Sequence, residues 1–294
     1  MQGFLNINKP SGITSAFVLN KIKYKFKIKK IGHLGTLDPL ASGVLPVAIG
    51  KATKLFDYFL QKEKEYIGVF KFGFETDTLD IDGKIVKNTK VIPTKNEIIS
   101  VLPLLTGTIN QVPPIFSAKK VNGKKAYELA RKNVDFVLQP KKIEIYNFEL
   151  TKQLSDCEFE FKIACSAGTY IRSLGRDLAE KLNSLCTLTS LTRIKAGKFN
   201  IENSVKLDDI LTKNSLFYDI INIEDVVDYT KINIDEHSFN KLKNGQEIET
   251  DLNNDNYLVL CNEMLLGIAK AQSNNLKLEV NLFEEKGNGY EIWT

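Results

Sequence analysis

Histidine and cysteine are scarce in this chain of 294 residues. His33 and His237 are the two histidines, and the four cysteines (Cys157, Cys165, Cys186 and Cys261) form no C-x-x-C pair. Metal-ligand spacing is therefore absent, and reduced thiols in a cytoplasmic protein are the plain expectation. No apolar run reaches the roughly 18 residues needed to span a bilayer. The opening MQGFLNINKPSG lacks the basic-then-apolar layout of a secretory leader. A phosphate-cradling P-loop and a G-x-G-x-x-G strand–helix fingerprint are both missing. The acidic stretch 75–83 invites a calcium reading, but it would put Thr78 and Thr89 at the first and twelfth ligand positions. The EF-hand register fails, and an acidic turn is expected instead. No internal repeat or low-complexity linker appears. The length allows on the order of 75% of the unfolded surface to be buried, enough for one large domain plus a smaller one.

What charge there is lies unevenly. Forty basic residues face 36 acidic ones, a net of +4. Residues 1–30 hold seven lysines and no Asp or Glu, and residues 117–142 hold eight basic residues against Glu128 and Asp135. Residues 224–294 run the other way, with six lysines and fourteen acidic groups, which leaves about +12 on residues 1–223. A polyanion is thus expected on the first part of the chain and not on its tail.

Hydrophobic periodicity outlines the elements. Tyr66, Gly68, Phe70, Phe72 and Phe74 alternate as a strand, and so do Cys157, Phe159, Phe161, Ile163 and Cys165. After a Ser-Ala-Gly turn, Ile171, Leu174, Leu178 and Leu182 form a helical stripe with Arg172 in its first turn. Residues 14–29 fit two templates. Residues 21–29 alternate strictly, yet Ser15, Val18, Leu19, Ile22 and Phe26 also line one helical face with Thr14 as a cap. Residues 113–142, rich in lysine and turn formers, read as an insertion projecting from a sheet. From about Val227, short strand-like runs (231–234, 257–261, 265–269 and 276–282) surround a brief helix, 236–243, stopped by Gly245. That texture suggests a small β-barrel.

The most informative segment is Gly32-His33-Leu34-Gly35-Thr36-Leu37-Asp38-Pro39-Leu40-Ala41-Ser42-Gly43. It sets one carboxylate in a glycine-punctuated turn, immediately before a proline that biases Asp38 toward extended geometry. The apolar run 44–49 reads as a buried strand anchoring the loop. By residue type alone, such an aspartate serves a turn more often than a reaction.

Residues 33–54, HLGTLDPLASGVLPVAIGKATK, resemble the catalytic motif of the TruB family of tRNA pseudouridine synthases. Further matches follow in order. Asn8-Lys9-Pro10-Ser11-Gly12 is similar to the family's N-terminal motif, with Asn8 where the family usually carries Asp. Lys64-Glu65-Tyr66 resembles the segment with its active-site tyrosine. Residues 112–120 and 123–127 resemble its RNA-gripping insertion, and Gly168-Thr169-Tyr170-Ile171-Arg172-Ser173-Leu174 the motif with its active-site arginine. Together they cover about residues 3–200.

The resemblance implies an α+β fold with a mixed, mainly antiparallel central sheet flanked by helices. It implies a catalytic domain over 1–223, a basic insertion at about 112–142 and a PUA-like C-terminal domain over 227–294. It favours the helix for residues 14–29. The implied reaction converts uridine to pseudouridine at position 55 of the tRNA T-loop, needing no cofactor, metal or nucleotide. Asp38 would be the nucleophile or base, ionised at neutral pH without help. Arg172 would be its counter-charge and Tyr66 would stack on the uracil and relay a proton. Tyr170 and Leu191 would complete the slot for the base, and Asp80 would contact substrate. His33 would shape the loop or contact the displaced nucleotide. Phosphate contacts are expected from Lys9, Lys119, Lys120, Lys124, Lys125 and Arg131, offsetting the cost of flipping the base out. The partner is the T-arm of tRNA, read by a monomer that needs no protein partner and no membrane. A guide-RNA-dependent relative of dyskerin and a tRNA-folding chaperone are the alternatives.

Overall fold

The computed structural model describes residues 1–284 apart from Ala118, Asn122, Asn133 and Asp135, and describes only the main chain of Lys120 and Lys125. Its frame is a sheet of ten strands. The main path runs Val205–Lys206, Gly3–Lys9, Ser42–Ile49, Cys186–Ala196, Lys64–Phe72, Glu158–Cys165, Lys141–Gln153 and Gly107–Gln111. Two short strands, Ile31–His33 and Phe199–Asn200, attach to its sides. Two junctions on the path are parallel: Gly3–Lys9 with Val205–Lys206, and Ser42–Ile49 with Cys186–Ala196. The rest are antiparallel, so the sheet is mixed and mainly antiparallel, as expected.

Both faces of its first strands are buried, which explains why residues 44–49 read as an unbroken apolar run. On one face Leu5, Ile7, Leu45 and Val47 join a core with Val18 and Ile22 of helix Ser15–Lys25, Ile98 of helix Lys95–Val101, and Leu174 and Leu178 of helix Ile171–Lys181. On the other face Phe4, Val44 and Ala48 join Phe59, Phe199, Ile223, Val226, Val227, Leu258, Ile268 and Leu282. The last three belong to a second sheet of five strands, ordered Thr230–Asn233, Asn256–Cys261, Met264–Gln272, Asn275–Asn281 and Ile248–Glu249, or follow it directly. Its edge strands do not pair with each other, so it resembles half of the expected barrel. Ile223, Val226 and Val227 straddle the expected domain boundary, and an apolar core runs through it.

The ambiguous segment 14–29 is a helix, Ser15–Lys25, because Thr14 accepts a hydrogen bond from the Phe17 amide at 3.0 Å and starts it. The helix Glu236–Lys243 lies where its pattern placed it, ended by Asn244 and Gly245. The alternation from Tyr66 does not continue through Phe74. Gly73, at φ +110°, breaks the strand, and Phe74–Thr76 pairs instead with Ile85–Asn88. The insertion joins Gly107–Gln111 to its neighbour Lys141–Gln153 and carries a small hairpin, Lys120–Val121 with Lys124–Lys125, and a short helix, Ala126–Ala130. No helix among the described residues is long and apolar enough to cross a membrane.

Phe199 is buried between the Phe4 and Phe59 rings, with centroids 5.9 and 5.7 Å away. Phe199→Ala is expected to lower stability by about 3–5 kcal/mol. The check is the midpoint of urea unfolding, which should fall without a change in slope.

Candidate active site

Asp38 opens a tight turn. The Ala41 amide donates to its carbonyl at 3.1 Å with Pro39 in the second position, an arrangement that suits Asp and Pro at those places. The turn is held at both ends by Arg193, whose Nε donates to Val44 O at 2.7 Å and Nη2 to Gly35 O at 3.0 Å. Gly43 pairs with Arg193 in parallel register at φ +95°, and a Cβ there would meet the Arg193 carbonyl oxygen at 2.2 Å. Only glycine lets the strands approach this closely. From below, Lys9 Nζ donates to the carbonyls of Pro10, Ile13 and Pro39. Ser15 Oγ bonds both the amide and the carbonyl of Leu37 at 3.0 Å.

Arg172 meets Asp38 from the opposite wall. Its Nη2 lies 2.8 Å from Asp38 Oδ2 and its Nη1 3.3 Å from Asp80 Oδ2. The same guanidinium donates to Thr78 O at 2.9 Å and to Phe116 O at 3.1 Å. The Arg172 side chain is 7% exposed, whereas that of Asp38 is 41% exposed. One partner is fixed in the protein and the other faces open space. Helix Ile171–Lys181 is set in place by Gln111, which accepts from the Tyr170 amide at 2.8 Å and donates to the Tyr170 carbonyl at 3.2 Å.

Between these walls lies a cavity of about 300 Å³. Asp38, Tyr66, Tyr170, Ile171, Arg172 and Leu191 line it, together with Lys64 and Arg193. Asp38 is the single carboxylate among the lining residues. Burial pushes the Tyr66 phenol up, while the Arg193 guanidinium beside it pulls the other way. The Tyr170 phenol is raised by burial too.

Five of the expected site residues therefore come together: Asp38, Tyr66, Arg172, Tyr170 and Leu191. Others do not. Lys9 cannot reach an RNA phosphate, because it is fully buried and its three donors are spent on carbonyls beneath the Asp38 turn. Asp80 is buried behind Arg172, where it holds the guanidinium, and is not in the cavity wall. His33 is on the short strand Ile31–His33, also outside the wall, with a buried Nδ1 that has no partner among the described residues; burial lowers its pKa. Lys119, Lys124 and Arg131 are exposed on the insertion. The side chains of Lys120 and Lys125 lie outside the described residues. Sequence reasoning missed Gln111, Lys64 and Arg193. The strand register that pairs Arg193 with both Gly43 and Tyr66 was the missing signal.

Residues 23–171 match the model of the TruB family pseudouridylate synthase N-terminal domain. The tRNA pseudouridine synthase B of Clostridium perfringens is 40% identical over 295 residues, covering 97% of this chain and all of that one. The chain belongs to the TruB family. It is thus a pseudouridine synthase, an isomerase. The tRNA pseudouridine synthase B of Borreliella burgdorferi is 41% identical over 259 residues, 88% of this chain and 90% of its own. Among solved structures, a chain of an H/ACA RNP bound to a substrate RNA containing 2'-deoxyuridine shares the fold, with a TM-score of 0.72 at 22% identity, covering 97% of this chain and 86% of its own.

Lysine in place of Arg172 would keep the charge but lose the planar fork that serves Asp38, Asp80, Thr78 and Phe116 at once. Arg172→Lys is expected to lower the single-turnover rate constant at least a hundredfold and to lower stability in urea. A second expectation concerns pH. Burial pulls the ammonium groups of Lys9 and Lys64 down to about 8. The folded chain therefore sheds these protons before the unfolded chain does, and this contribution to stability rises as pH climbs from about 8 toward the ordinary lysine value. Lys9→Met should flatten that rise, as read from urea unfolding across the same pH window.

Proposed function

We propose that this protein isomerises uridine to pseudouridine at position 55 in the T-loop of tRNA, acting alone, without guide RNA, as a cytoplasmic monomer. The observation that carries the reading is the 2.8 Å pair of exposed Asp38 and buried Arg172 at the mouth of a slot lined by Tyr66, Tyr170 and Leu191. A uracil swung out of its stack fits between these apolar walls, placing its sugar beside the carboxylate. The N1–C1′ bond breaks, the uracil turns while still held, C5 joins C1′ and gives up its proton, and N1 takes a proton up. Atoms and electrons balance within the nucleoside.

A lone carboxylate supports this chemistry over hydrolysis. Glycoside hydrolases use two carboxyl groups flanking the bond, one protonating the leaving group and the other acting as nucleophile or activating a water. Here the second acid, Asp80, is buried on the far side of Arg172. The exposed Lys119, Lys124 and Arg131 of the insertion offer cations for the stem's phosphates. A-form RNA is recognised largely by its shape and backbone, so such contacts suit a stem-loop. The relatives at about 40% identity over most of their length are named tRNA pseudouridine synthase B, which supports tRNA over a guided target.

The test is incubation of the purified protein with an unmodified tRNA transcript, followed by a pseudouridine assay at each uridine. Product at position 55 without added RNA or protein is expected. Asp38→Asn should abolish it while tRNA affinity stays within about threefold. Full activity in that variant would remove Asp38 from the chemistry, and strict dependence on an added guide RNA would favour the dyskerin-like alternative.

A further inference from the structure

Helix Ser15–Lys25 has an outer face that the chemistry above does not use. Its buried stripe is Ser15, Val18 and Ile22. On the side turned away from it are Phe17 and Tyr24, two turns apart and 44% and 89% exposed. At 100° per residue these two aromatics share one line along the helix. Lys21 and Lys25 lie on one side of that line and Lys23 on the other, and all three are exposed. The Lys21 ammonium lies over the Phe17 ring, 5.2 Å from its centroid. No Asp or Glu occurs in residues 1–30, and no ion pair engages these lysines among the described residues.

A lysine-rich helix face is ordinarily just solvated. Two large aromatics at its centre change that reading, since a solvated face has no use for a tyrosine that is nearly all exposed. Alternating cations and aromatic rings are the arrangement that holds unpaired nucleotides, with phosphates on the lysines and bases stacked on the rings. Position adds to the case. The helix begins at Ser15, which is bonded to Leu37 beside Asp38, so its first turn lies next to the reaction centre. Tyr24 lies about 13 Å farther along the axis. A molecule with its reacting base in the cavity would have to extend well past its target loop to meet that ring.

We infer that the outer face of helix Ser15–Lys25, centred on Phe17 and Tyr24, is a second RNA-binding surface that takes unpaired nucleotides of the substrate outside the stem-loop being modified. This rests on the proposed tRNA substrate and adds to it a contact that a minimal stem-loop cannot make. The lysines attract the strand and the rings give it somewhere to stack.

The experiment measures Kd and single-turnover rate for a full-length tRNA transcript and for its isolated T-arm stem-loop. It uses the wild-type chain, Tyr24→Ala, and the double variant Lys21→Gln with Lys25→Gln, each checked for an unchanged urea midpoint. Tyr24→Ala should weaken full-length tRNA by roughly tenfold, the contribution of one stacked base. The lysine variant should make the salt dependence of that binding shallower by about one and a half in log–log slope. Affinity and rate on the stem-loop should not change in either variant. Equal losses on both RNAs, or no loss on either, would overturn the inference. Absence of pseudouridine with wild-type protein would overturn the proposed function instead, and the binding comparison would still decide the surface.

Discussion

The site depends on one guanidinium shared among four acceptors. Arg172 is nearly inaccessible, so its charge must be matched inside the protein or the fold would bear the cost of burying it. Asp80, the Thr78 carbonyl and the Phe116 carbonyl supply that match from two separate stretches of chain. Asp38 completes it from a third, and it alone faces open space. The acidic turn and the root of the insertion are thereby tied to the reaction centre through a single side chain. Burial works against the Asp80 carboxyl by pushing its pKa up, and the Thr78 hydroxyl, 2.6 Å away, together with Arg172 holds it back. This acid is kept in the interior to position a cation.

The rest of the site's positive charge is held differently. Lys9, Lys64 and Arg193 are all buried, and each directs its donors to main-chain carbonyls. Carbonyl dipoles satisfy the hydrogen bonds without cancelling the charge. The region under the Asp38 turn therefore stays electropositive. It also explains a glycine pattern that turn chemistry alone does not. Gly43 permits the close strand approach, and Gly35, at φ +135°, the bend, through which Arg193 grips both legs of the turn.

Much of this was legible in the chain. The Asp38 motif, the alternation of the strand bearing Tyr66 and the helical stripe next to Arg172 each encode local geometry, and local geometry is what periodicity records. What stayed hidden depends on register between distant strands. Nothing near Lys9 announces that three carbonyls will enclose its ammonium, and so it passed for a surface cation. Asp80 reads as a ligand-facing acid in a polar turn until Arg172, more than ninety residues later, folds over it. Arg193 looks like any basic residue on a strand. Its role exists only because Ser42–Ile49 and Lys64–Phe72 pair on either side of it.

The charge asymmetry along the sequence becomes a spatial one through the main sheet. Leu5, Ile7, Leu45 and Val47 point to the core that carries the cavity's Tyr66, Ile171 and Leu191 and the lysine-bearing first helix. Phe4, Val44 and Ala48 point to the opposite core, where the acidic C-terminal sheet is bound by Leu258 and Ile268. Alternation along two strands thus puts a layer of backbone between the two charge populations. A polyanion approaching the cavity meets the lysine-rich side, while the acidic sheet is anchored to the far face. An apolar anchor is what such an arrangement requires. Burial of Phe59, Phe199 and Leu282 supplies that anchor, and Asp228, paired with Lys62 at 2.8 Å and Lys198 at 2.6 Å, adds an ionic tie beside it.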